Sequence, residues 1–223
     1  MDLSFTPYCT DEDVAVRACG DFGILCPKFQ LLASGTDGVF TAGSPWSITS
    51  ASNTFANVAA GNVVILEGPR PNFTGDGEIF GVASVAAGVL TLKRIGLDPG
   101  VGTPPGPTSG GLTAVVFKVR TLQPQINSAC LDLNMTFGID PNIANKSPGL
   151  IYDPNLELNQ AAVLTVLQRQ YAMEVRSERG DFALKLRQIE TDLAALKGRM
   201  TVKWGALGEG DMPKTFFGMR IRR

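Results

Sequence analysis

The spacing of apolar positions changes along this chain, and each change marks a segment. In TDEDVAVRACGDFGILCP (Thr10–Pro27), Val14, Ala18 and Phe22 stand four apart, the spacing of one helix face. Thr10 suits an N-cap, Asp13 stands where its carboxylate reaches back to the cap amide, and Asp11 and Glu12 add negative charge to the positive helix end. Gly20, Gly23 and Pro27 then weaken and stop the helix.

From about Gln30 to Val119 the pattern shifts to short runs of β-branched and apolar residues separated by Gly, Ser and Thr. It predicts strands at Trp46–Ser50, Asn62–Glu67, Glu78–Ala86, Val89–Ile95 and Leu112–Arg120, with a tight hairpin at Ala86-Ala87-Gly88. Short antiparallel strands without an intervening helix suggest a small barrel or sandwich. Asp98–Gly111 (DPGVGTPPGPTSGG) holds four prolines and five glycines, so it reads as a solvent-exposed loop, or as one that orders against a neighbouring subunit.

Helical spacing returns in Leu122–Asn142, where Pro124 fits a first turn, Ile126, Ala129, Cys130, Leu133 and Phe137 share a face, and Gly138 fits a stop. A further helix is predicted from Asn155 to Arg176 with Leu156, Val163, Leu167 and Tyr171 on one side. After a break at Ser177–Gly180, Asp181 caps a last helix to Met200, whose Phe182, Leu186, Ile189, Leu193, Leu196 and Met200 form a heptad seam. That seam fits subunit core or contact with another copy of the chain. The pair predicts an antiparallel helical hairpin.

These elements imply an α+β fold: a helical bundle framework, made of the N-terminal helix and the late hairpin, with an inserted small antiparallel β-barrel or sandwich and an extended C-terminal tail. The expected divisions are 1–29, an N-terminal helical part; 30–121, the β domain; 122–204, the helical domain; and 205–223, hinge and tail.

Composition narrows the chemistry. With no histidine and no CxxC pair among Cys9, Cys19, Cys26 and Cys130, the chain lacks His-containing zinc sites and Ser-His or Cys-His nucleophile pairs, so neither a metal nor a cofactor is expected. Asp11 and Asp13 read as capping residues, and GDGEIFG (Gly75–Gly81) leads into a strand without the Lys-Ser/Thr of a phosphate loop. No enzyme is expected. There is neither a signal-peptide pattern nor an apolar run long enough to cross a membrane, and the cysteine usage suggests free thiols in a reducing cytoplasm.

Charge then isolates the last segment. The formal net charge is −1, yet from Thr201 onward five basic residues face two acidic ones, a local +3. GALGEG offers hinge positions at Gly205, Gly208 and Gly210, and MPKTFFGMRIRR follows with Phe216, Phe217, Met219 and Ile221 among six consecutive residues. Such an apolar group is a liability in water unless it docks. Met219-Arg220-Ile221-Arg222 alternates with strand period, suited to adding a strand to a partner's sheet.

The acid-headed first helix (TDEDV, Thr10–Val14), the late hairpin (Asn155–Met200) and the glycine-hinged MPKTFFGMRIRR together resemble the head-to-tail adaptor (connector) proteins of tailed bacteriophages. The resemblance lies in layout and covers the helical parts, a little under half of the chain. The inserted β domain also looks like the small barrels of phage neck and tail proteins, although typical simple adaptors are smaller and nearly all helical. It implies a non-enzymatic structural protein of the virion neck, assembled in the host cytoplasm as a homo-oligomeric ring, dodecameric on the same grounds. Its partners would be the portal protein and further neck or tail proteins, with DNA passing through the channel without sequence-specific binding and no membrane involved. By the same resemblance Lys214, Phe216, Phe217, Met219, Arg220, Ile221, Arg222 and Arg223 would form the portal contact. A stopper or tail terminator is the alternative within this class. A different class is also open: a nucleic-acid-binding accessory protein that stacks bases on Phe40, Trp46, Phe55, Phe73, Phe80 and Phe117 and clamps the backbone with the basic tail.

Overall fold

The computed structural model describes residues 6–42, 45–68, 78–99, 101, 111–140, 142, 151–152, 156–175, 180–200 and 203–204. It divides into two compact units, Thr10–Gln123 and Met1–Cys9 together with Pro124–Arg223.

In the first unit six strands close into a barrel: β1 (Leu31–Thr41), β2 (Trp46–Thr49), β3 (Val63–Gly68), β4 (Glu78–Ala86), β5 (Val89–Arg94) and β6 (Gly111–Arg120). Their order around the wall is β1-β2-β5-β4-β3-β6, and all neighbours are antiparallel. Strand alternation sends Phe40, Ile48, Val64, Leu66, Phe80, Val82, Leu90, Leu92, Val115, Phe117 and Val119 to the interior. On β3 the outward residues Val63 and Ile65 are buried as well, because α1 (Asp11–Arg17) and α2 (Phe22–Leu25) lie over the outside of the wall. The β4–β5 hairpin turns at Ala87 and Gly88, with φ of 48° and 77°, the left-handed pair of a type I′ turn.

β1 escaped the sequence reading because Gly35 and Gly38 look like loop residues. They are there for space: a Cβ on Gly35 would stand 2.7 Å from the Phe117 ring, and one on Gly38 would stand 2.8 Å from the Val115 carbonyl oxygen. The β1–β6 register slips between these glycines, as a bulge requires.

The expected fold class needs correction. The N-terminal helix is not part of a helical bundle framework; it belongs to the barrel unit, and the β domain is a closed six-stranded barrel instead of a five-stranded barrel or sandwich. The physical reason is local. The Glu12 amide donates to the Gly61 carbonyl at 2.9 Å, the Asp11 carboxylate accepts from the Asn62 side chain at 2.8 Å, and Lys93 pairs with Glu12 at 2.9 Å. Gly81, having no side chain, lets the Glu12 carboxylate reach the strand surface. The helix is also shorter than expected, breaking after Arg17 and resuming for a single turn in α2. Its cap is as read: the Thr10 hydroxyl accepts from the Asp13 amide at 3.3 Å, and the Asp13 carboxylate accepts from the Thr10 amide at 2.7 Å.

The second unit holds α3 (Gln123–Phe137), α4 (Glu157–Val175), α5 (Gly180–Arg199) and a two-stranded pair, β7 (Ile151–Tyr152) with β8 (Lys203–Trp204). α3 ends at Gly138, φ 67°, where the Ile139 amide donates to the Asn134 carbonyl at 2.8 Å to close a Schellman turn. From the amino-terminal side Tyr8, not a helix, joins this unit: its hydroxyl donates to Asn134 Oδ1 at 2.5 Å, and its carbonyl accepts from Asn159 at 2.9 Å. α4 is buried without a break from Ala161 to Leu167, so it is the central helix and not a one-sided stripe. Leu156, expected on its face, precedes the helix with φ 52° and stays exposed.

Candidate functional site

The residues expected to carry function meet three fates. Lys214, Phe216, Phe217, Met219, Arg220, Ile221, Arg222 and Arg223, with the hinge Gly205, Gly208 and Gly210, lie outside the described residues. Most of the Asp98–Gly111 loop and residues 75–77 of the GDGEIFG stretch do so too, leaving 98, 99, 101 and 111 of the loop described. The seam of α5 is described: Phe182, Leu193, Leu196 and Met200 are buried, Leu186 and Ile189 half-buried, and Phe182 stacks its ring 5.8 Å from that of Tyr171 on α4. In the barrel, Phe40, Trp46, Phe55, Phe80 and Phe117 are all interior, so none offers a ring face for base stacking; Phe73 lies outside the described residues.

A site that sequence reading missed lies on the outside of the barrel. Where α1 gives way to α2, the chain leaves a cleft of about 590 Å³ against β3, β4 and β6. Its walls are mainly aliphatic, from Ile24, Ile65 and Ile79, with Glu67 and Arg120 as the charged members and the exposed Cys19 beside them. Alternation dictates these choices: Ile65 and Glu67 on β3 and Arg120 on β6 all occupy outward positions, opposite in phase to Val64, Leu66 and Val119 of the interior.

The two charges are held differently. Lys118 Nζ reaches both oxygens of Glu67, at 2.7 and 2.6 Å, and so neutralises it. Arg120 is only 8% exposed; it donates from one terminal nitrogen to the Gly23 carbonyl at 2.6 Å, while its Nε is buried with no acceptor. Among the described residues no carboxylate lies within ion-pair distance of it. A guanidinium carries five donors, and burying one without its anion is costly.

Behind this wall lies a polar cluster that is structural in character. The Asp11 carboxylate, 1% exposed, accepts from the Leu122 amide at 2.7 Å and from Asn62, and Thr121 supplies a further hydrogen bond. Burial raises its pKa, and these hydrogen bonds oppose the rise. The Cys26 thiol donates to the Thr121 carbonyl at 3.3 Å and is pushed up to about 12, first by burial and then by the Asp11 charge, with Arg120 pulling the other way. A thiol so held is no nucleophile at neutral pH.

The helical unit has a more polar cleft of about 400 Å³ between α3, α4 and α5, lined by Asp132, Thr165, Gln168, Arg169 and Lys197. Here the arginine is satisfied: Arg169 pairs with Asp132 and donates to Ser128 Oγ at 3.0 Å. Among the described residues no group of three or more Asp, Glu or Cys is placed to hold a metal, and no helix is long and apolar enough to cross a membrane.

Only a weak signal in the sequence points to Arg120. It closes the alternating run Val116-Phe117-Lys118-Val119-Arg120, which says that it faces away from the barrel interior, but nothing in the sequence says that α2 covers it. Comparison with known proteins adds no identification: no protein family, no curated protein and no solved structure matches this chain.

Proposed function

We propose that the protein is a non-enzymatic structural component of a tailed-phage neck, forming a ring that joins the portal to the tail and docking on the portal through Lys214–Arg223. The observation that carries this reading is the composition of that segment, with Phe216, Phe217, Met219 and Ile221 inside six residues and Arg220, Arg222 and Arg223 interleaved or following. Burying each large apolar side chain contributes on the order of 1.5–3 kcal/mol, so a host surface is strongly favoured over water. The barrel is a poor host for an added strand, since its closed ladder has no free edge, and the β7–β8 pair offers only two residues per strand. A strand-like segment with two-residue alternation therefore suits the sheet of another chain. In a ring, many tethered copies raise the effective concentration of each segment after the first has docked.

Since α1 belongs to the barrel, the adaptor-like layout now rests on the α4–α5 hairpin and the terminal segment. The self-contained barrel favours a stopper or tail-terminator position as the second reading within the same class. The nucleic-acid reading loses its stacking platform, because the described barrel aromatics are interior.

Two measurements test the proposal. Native mass spectrometry of the chain, alone and with a cognate portal, should give a closed ring and a ring–portal complex. Deleting Lys214–Arg223 should leave the barrel and helical units folded by circular dichroism but abolish co-sedimentation with portal-bearing particles. Equal co-sedimentation of both forms would refute the docking role.

A further inference from the structure

We propose that the cleft beside α2 is a binding site for an aliphatic carboxylate, with Arg120 receiving the head and Ile24, Ile65 and Ile79 enclosing the body. This goes beyond the assembly reading and does not depend on it.

Three observations meet here. Arg120 is nine-tenths buried, is oriented by the Gly23 carbonyl at 2.6 Å, and keeps Nε without an acceptor. The nearby acids are engaged elsewhere: Glu67 by Lys118 at 2.6 and 2.7 Å, and Asp11 by Leu122, Asn62 and Thr121. The volume of about 590 Å³ is that of a small-molecule site, aliphatic on most of its wall, with Arg120 and the Lys118-paired Glu67 as its charged groups. The anion that best satisfies a guanidinium is a planar carboxylate, which can accept two parallel N–H bonds. With Glu67 already paired to Lys118, Arg120 offers one positive charge, which a singly charged head balances and a phosphate dianion exceeds. The isoleucines then require the rest of the ligand to be apolar.

Cys19 supplies a reporter. It lines the same cleft and is exposed, whereas Cys9, Cys26 and Cys130 are buried. The experiment follows the rate at which an uncharged maleimide modifies Cys19 in the full-length chain, with octanoate or octanol added. Octanoate should slow the reaction saturably, with octanol weaker by about tenfold or more, the loss expected when a charge-assisted pair is removed. Arg120→Gln should lose the octanoate effect. Should that variant misfold, Ile24→Asp tests the same point from the rim, where the side chain is 47% exposed and a new negative charge repels the ligand without touching the core. A short peptide ending in isoleucine, compared with its C-terminal amide, distinguishes the source. Protection by the acid form below the octanoate concentration identifies a polypeptide end, and protection only by octanoate identifies a small acid. The proposal is overturned if octanoate and octanol protect equally, if neither protects, or if octanoate protection persists in a folded Arg120→Gln or Ile24→Asp chain.

Discussion

Two carboxylates in the barrel unit show how environment sets the sign of a residue's contribution. Asp11 is buried, and desolvation raises its pKa above the ordinary 3.8. The folded state therefore holds this proton more tightly than the unfolded chain does. Its contribution is fully present below 3.8 and is lost as pH rises through the elevated folded value. Asp37 lies near the surface and accepts from the Ser52 amide at 2.8 Å and from the hydroxyls of Ser50 and Ser52, which lower its pKa to about 2. Its contribution is present above 3.8 and is lost as pH falls through about 2. Urea denaturation as a function of pH, comparing the native chain with Asp11→Asn and with Asp37→Asn, should give difference curves of opposite slope. Parallel curves would contradict these assignments.

At the scale of elements, β1 and the β4–β5 hairpin depend on backbone geometry more than on apolar content. Gly35→Ala forces a methyl group to within 2.7 Å of the Phe117 ring, so it should destabilise the protein by about 1–3 kcal/mol, as overpacking does in a filled core. Its chemical denaturation midpoint should fall accordingly, whereas a Gly20→Ala control, with nothing within 4 Å of the new Cβ, should leave it nearly unchanged. In the hairpin, Ala87 occupies a left-handed position at φ 48° that Asn tolerates better. Ala87→Asn should raise stability by about 0.5–1 kcal/mol, read as a higher melting temperature. Both positions are at turns or bulges, where one residue sets the register of two strands.

For the whole molecule, thiol accessibility samples both units at once. Cys26 lies in the barrel unit and Cys9 and Cys130 in the helical unit, all nearly inaccessible, with burial raising the pKa of Cys26 and Cys130; Cys19 alone is exposed. Intact mass after brief maleimide treatment should show one adduct on the native chain and four in denaturant. More than one adduct under native conditions would mean that a unit opens locally on the labelling timescale. The exposed apolar residues Phe29, Met135, Leu156 and Leu184 are distributed over both units.

By itself the sequence determined the elements whose signals are local. The Thr10–Asp13 capping box, the Gly138 stop, the Ala87-Gly88 turn and five of the six barrel strands follow from spacing, capping and turn chemistry within a few residues. Tertiary structure decided what depends on distant partners. β1 is a strand because Phe117 and Val115, far along the chain, fill the space its glycines leave, and α1 belongs to the barrel because Asn62, Gly61 and Lys93 answer its acids. The Arg120 cleft is the clearest case. Its charge, its aliphatic walls and its cover come from α2, β3, β4 and β6, and no periodicity along the chain records that these four elements meet.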